Sequence, residues 1–176
     1  MNVSPKTPLL VLPACLALSF VIQSKSFAQV AAAEKTVALH TADGKYVSAT
    51  EKGGIDLSGK VISHHQVFAV AGASGDKLSD GDTVEIKYYP TATGDSGKSK
   101  GSYWREESGK IDRVVKEPED GSAKFKLKKQ GDGFALQAAS GKFVATPPDT
   151  TGLGLTDTLN NALVLVFEEN PKEVGK

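Results

Sequence analysis

Tyr88 and Tyr89 stand side by side just before a polar stretch carrying Asp95, Lys98 and Lys100. An aromatic ring stacks on the apolar face of a sugar, while nearby charged groups fix its hydroxyls. These five residues form the first candidate ligand-binding set. Adjacent strand residues point to opposite faces, so only one of the two tyrosines presents itself. The competing reading is a strand end followed by an insertion, since loops vary freely.

A second set is Lys124, Lys126 and Lys128, which alternate with Phe125 and Leu127 and are followed by Lys129. Alternation lines these ammonium groups along one face of a strand, a ridge suited to an anionic polysaccharide or membrane surface. Lysines also blunt a strand against edge pairing, which is the plainer explanation. Trp104 is the only tryptophan. It is either a ligand platform or a core residue, and its position favours the core.

Other chemistries find no support. His64 and His65 are adjacent and diverge if they lie on a strand, and His40 lies in a different strand, so no metal site is expected. Glu106-Glu107 and Glu117-Pro118-Glu119-Asp120 fall in polar, loop-like runs. A glycosidase instead needs two carboxylates about 5 to 9.5 Å apart in a cleft. No nucleophile elbow, phosphate loop or dinucleotide fingerprint occurs. The expectation is a protein that binds without catalysis and without a cofactor.

The elements that position these residues repeat. Val37-Ala38-Leu39-His40-Thr41-Ala42-Asp43-Gly44-Lys45-Tyr46-Val47 returns as Phe134-Ala135-Leu136-Gln137-Ala138-Ala139-Ser140-Gly141-Lys142-Phe143-Val144. A worn copy between them has Val84-Glu85-Ile86 and Gly101-Ser102-Tyr103-Trp104. The turn glycines precede isolated phenylalanines by 24, 24 and 26 residues: Gly44 to Phe68, Gly101 to Phe125 and Gly141 to Phe167. Recurrence at this period marks units that bury a shared core. Short alternating runs bounded by Gly, Asn, Asp and Ser predict four strands per unit. Asp43-Gly44 and Ser140-Gly141 predict two-residue hairpin turns. Trp104 occupies the place of Val47 and Val144, and Tyr103 that of Tyr46 and Phe143.

This threefold plan, with Gly-Lys-Tyr-Val and Gly-Lys-Phe-Val after a short apolar strand and a lone Phe closing each unit, resembles the β-trefoil superfamily. Within it the likeness is to the fascin-like, actin-cross-linking type. The resemblance implies an all-β fold of three pseudo-symmetric four-strand units, approximately 37–80, 81–130 and 131–169, in one domain spanning 37–169. The Gln-x-Trp signature of ricin-type sugar sites is absent, since Ser102 stands two places before Trp104. Actin bundling needs at least two sites, so literal cross-linking is not expected of one domain.

Lys6, an apolar stretch from Leu9 to Ile22, and Ser26-Phe27-Ala28 before Gln29 predict a cleaved secretory signal peptide over 1–28. The apolar run is broken by Pro13 and is shorter than the ~20 residues of a membrane span. Leu12-Pro13-Ala14-Cys15 only faintly resembles a lipobox. Residues 29–36 are expected to be a flexible lead-in and 170–176 a polar tail. Cys15 is the only cysteine, so the mature chain forms no disulfide.

The chain has 21 basic and 21 acidic residues. Cleavage after Ala28 removes Lys6 and Lys25, leaving 19 basic against 21 acidic, or −2. This balance gives no reason to expect nucleic acid, and only Arg105 and Arg113 are arginines. The expected protein is a secreted or periplasmic monomer with no transmembrane span, recognising a glycan or another surface macromolecule. One alternative is a protease inhibitor that inserts Lys98 or Lys100 from the 90–100 loop. Another is a structural module of the envelope.

Overall fold

Alternation dictates the strands. In Thr83-Val84-Glu85-Ile86-Lys87-Tyr88 every second side chain is apolar, and Val84, Ile86 and Tyr88 are buried while the residues between them face outwards. In the computed structural model this pattern yields twelve strands among the described residues. They are β1 (Lys35–His40), β2 (Tyr46–Ala49), β3 (Ile55–Gly59), β4 (Val67–Ala71), β5 (Thr83–Tyr88) and β6 (Ser102–Glu107), followed by β7 (Lys110–Val114), β8 (Lys124–Gln130), β9 (Gly133–Gln137), β10 (Phe143–Ala145), β11 (Gly154–Thr156) and β12 (Val164–Glu169). The structure describes residues 34–73, 75–90 and 101–172. The expected signal peptide therefore lies outside the described residues, as do Asp95, Lys98, Lys100 and most of the tail.

The protein is all-β, a closed antiparallel barrel with extra strands. The ring closes through β1–β4, β4–β5, β5–β8, β8–β9, β9–β12 and β12–β1. The hairpins β2–β3, β6–β7 and β10–β11 stand outside it. Backbone bonds join these hairpins to one another: Ile111 N–H donates to the Leu153 carbonyl, and Leu153 N–H to that of Ile55. A closed ring leaves no free edge within it, which removes a route to aggregation.

Both the ring and the hairpins feed the core. Val37, Leu39, Val84, Ile86, Phe125, Leu127, Leu136 and Leu165 from the ring are fully buried, as are Val47, Trp104 and Val144 from the hairpins. The Trp104 ring meets Phe68 edge-on at 5.3 Å, an arrangement favoured by the ring quadrupoles. Trp104 is thus a core residue.

Several local expectations need correction. The turns after β1 and β9 are three-residue connections, not two-residue ones. Thr41 N–H bonds the Lys45 carbonyl and Gly44 N–H bonds that of Thr41, and Ala138, Lys142 and Gly141 repeat both bonds. Only the glycine is left-handed, with φ of +79° at Gly44 and +86° at Gly141, whereas a two-residue type I′ turn needs two such residues. β1 begins at Lys35, which pairs with Val70, so Lys35 and Thr36 belong to the barrel and not to a flexible lead-in. His64 and His65 lie on a 3₁₀ turn, His64–Gln66, and not on a strand. Ser63 and Gln66 form its capping box, a signal legible in Ser63-x-x-Gln66.

Candidate functional site

Because Val84, Ile86 and Tyr88 point inwards, Glu85, Lys87 and Tyr89 share the outer side of the barrel wall. Tyr88 is consequently removed from the expected ligand-binding set. It is only 4% exposed, its ring lies under the Arg113 guanidinium at 4.7 Å, and its hydroxyl is 3.1 Å from His65 Nδ1. No face of the Tyr88 ring is left for a ligand. Burial pushes the Tyr88 hydroxyl pKa up, and Arg113 offsets part of that rise. Burial, aided by His64, lowers the pKa of His65.

Tyr89 is the tyrosine that presents itself, with 42% of its surface exposed. One side of its ring rests on Gly101, where an added Cβ would approach the ring to 2.6 Å. Its hydroxyl donates to Glu34 Oε2 at 3.2 Å. Glu34 also receives the Lys87 ammonium at 2.6 Å, so the carboxylate braces both side chains. Burial acts to lower the Lys87 pKa, but the hydrogen bond and charge of Glu34 outweigh it and hold the ammonium above its ordinary value. Lys87 pairs across the strands with Tyr103 and lies over its ring, 5.0 Å from the centroid.

Tyr103 in turn donates to Glu117 at 3.4 Å. Beside them, burial and the neighbouring Glu117 raise the Glu85 pKa. The flank therefore carries two tyrosine rings, Lys87 engaged by Glu34, and the three carboxylates of Glu34, Glu85 and Glu117. A carboxylate accepts up to four hydrogen bonds, so Glu34 and Glu117 retain acceptor capacity. This is the chemistry of a site for a hydroxyl-rich ligand with an apolar face. Glu34, Glu85 and Lys87 were not singled out in the sequence, although strict alternation across β5 places Glu85 and Lys87 beside Tyr89.

The lysine ridge is partly committed elsewhere. Lys124 and Lys126 are exposed, and they pair across the strands with Glu85 and Thr83 of β5. Lys128 is half-buried. Lys129 is exposed, its ammonium lying over the Phe134 ring at 4.5 Å and its backbone N–H bonding Asp80. Because β8 lies between β5 and β9 in the ring, these lysines protect no edge, contrary to the plainer explanation.

A separate groove of about 480 Å³ opens where the three hairpins meet. It shares no residue with the Tyr89 flank.

No family model matches the chain, and no curated protein does. Solved structures do match. The chain is similar to Cry35Ab1, with a TM-score of 0.57 and 16% identity over 81% of this chain and 37% of that one. It is also similar to the GlcNAcα1-4Gal-releasing endo-β-galactosidase from Clostridium perfringens, with a TM-score of 0.60 and 11% identity over 78% of this chain and 33% of that one. At these identities the likeness is one of fold. The chain spans just over a third of the first and a third of the second. Among the described residues, no helix is long and apolar enough to cross a membrane.

Proposed function

We propose that the chain is an exported, non-catalytic carbohydrate-binding module of the β-trefoil type. It holds a sugar on the flank formed by Tyr89, Tyr103, Glu34 and Glu117. The observation that carries this reading is the Tyr89 ring, backed by Gly101 and braced by Glu34 while its surface stays 42% exposed. Exposed aromatics of this kind gain from contact with an apolar sugar face, and preorganisation lowers the entropy lost on binding.

Support for the trefoil comes from the six-strand ring with three hairpins outside it, together with the repeated turn bonds at Thr41–Lys45 and Ala138–Lys142. The galactosidase with a similar fold acts on carbohydrate, as its name states. Export rests on the segment before Gln29. Protease inhibition would use Lys98 or Lys100, which lie outside the described residues.

Affinity electrophoresis through gels containing soluble neutral polysaccharides tests the proposal. Retention of the wild-type protein on at least one gel, with about tenfold weaker affinity in Tyr89→Ala, is the expected result, corresponding to ~1.4 kcal/mol. Equal retention of wild type and variant would refute the assignment of Tyr89. Lys126→Glu is expected to leave retention unchanged.

A further inference from the structure

The groove at the junction of the hairpins has its own chemistry. Lys52 and Ile55 approach it from the β2–β3 side, Lys110 and Ile111 from the β6–β7 hairpin, and Gly152 and Leu153 from the segment before β11. Ile55, Ile111 and Leu153 are each only 3% exposed and form its floor. The backbone bonds linking Ile55, Leu153 and Ile111 fix the three walls relative to one another. Its volume of about 480 Å³ falls within the ~300–1,000 Å³ range of small-ligand pockets.

The charges around the groove are not equally free. The Glu107 carboxylate is held by Arg105, and Asp112 accepts the backbone N–H of Arg113 at 2.7 Å. Lys52 and Lys110 are exposed and form no ion pair with the described residues. Two ammonium groups without an ion pair, one from each neighbouring hairpin, therefore face a groove in which Arg105 holds Glu107 and in which both carboxylates keep oxygen free to accept hydroxyls. Gly152 leaves part of the wall open, since a Cβ there would meet nothing within 4 Å.

We propose that this groove is a second binding site, independent of the Tyr89 flank, and that it takes a carboxylate-bearing sugar unit such as a uronate. The carboxylate pairs with Lys52 and Lys110. The ring hydroxyls bond Ser108, Glu107 and Asp112 at the rim, and the sugar occupies the space beside Gly152. The Tyr89 flank has a different charge character, because Glu34 holds Lys87 and the carboxylates of Glu34, Glu85 and Glu117 outnumber the lysines beside them, Lys87 and Lys124.

Trigalacturonate, its methyl ester and inorganic sulfate are the probes, titrated against isotope-labelled protein and followed by backbone NMR shifts. Trigalacturonate is expected to perturb Lys52, Lys110 and Gly152 and to bind less tightly as salt is raised. Its affinity should fall about tenfold in the double variant Lys52→Gln, Lys110→Gln, given the usual size of exposed charge contacts. Gly152→Val, which fills the groove where no atom stands, should produce a comparable loss in a protein that still folds. The ester and sulfate should each bind at least about tenfold more weakly than the acid. Tyr89→Ala should leave this titration unchanged, so failure here is distinguishable from failure at the flank. Absence of trigalacturonate binding, equal binding of the ester, or indifference to both variants would overturn the proposal. Sulfate binding as tight as the trimer would reduce the groove to a small-anion site and overturn the sugar assignment.

Discussion

The two sides of β5 are built from interleaved residues yet obey different rules. Val84, Ile86 and Tyr88 point inwards, where burial leaves them 0%, 0% and 4% exposed. Glu85, Lys87 and Tyr89 leave the same stretch in the opposite direction, where no packing requirement explains an aromatic ring. Lys87 is anchored by Glu34 and Tyr103, and Tyr89 by Glu34 and Gly101. An aromatic on the inner side stabilises the fold, whereas one on the outer side is free to serve a ligand. Tyr88 and Tyr89 are the same residue type one position apart, and alternation alone sends one inwards and the other outwards.

The largest effect is expected from the inner side. Trp104 is fully buried and packs edge-on against Phe68, so Trp104→Ala should cost about 3–5 kcal/mol. Its urea unfolding midpoint, followed by circular dichroism, should drop accordingly. A drop within experimental scatter would mean that the hairpin tryptophan does not anchor the core.

A smaller effect, confined to the outer side, is expected of Gly101→Ala. The added methyl would lie 2.6 Å from the Tyr89 ring and must displace it. Sugar affinity should fall about fivefold, by ~1 kcal/mol, with the unfolding midpoint close to wild type. Unaltered affinity would show that the backed orientation of the ring is irrelevant to binding.

The smallest effect concerns Glu85. Burial, with Glu117 beside it, raises its folded pKa above the unfolded value, so over the interval between them the native state binds more protons. Stability therefore declines as pH rises through the folded pKa, and the penalty is absent below the unfolded value, near pH 4.5. Glu85→Gln should raise the thermal midpoint at pH 7 more than at pH 4. Parallel shifts at both pH values would show that Glu85 carries no such penalty.

The strand pattern was largely legible because turn glycines and alternating apolar residues impose it locally. The 3₁₀ turn at His64–Gln66 is too short to show a helical period, and its one signal in the sequence is the Ser63-x-x-Gln66 capping box. Asp43-Gly44 fits a two-residue turn by composition, whereas the register is set by the bond from the Thr41 N–H to the Lys45 carbonyl. The flank was only half legible. Alternation signals that one tyrosine of the pair faces outwards, but Glu34 and Glu117 are distant in sequence and arrive through the fold. The groove of Lys52 and Lys110 was invisible in sequence because it exists only where separate hairpins meet.

The most direct test of the central claim is binding of wild-type protein and Tyr89→Ala, both starting at Gln29, to an array of neutral and acidic glycans at low and high salt. The account predicts that the wild type binds a neutral glycan independently of salt and that Tyr89→Ala loses this signal while staying folded. Undiminished binding by Tyr89→Ala, or no neutral glycan bound by the wild type, would contradict it.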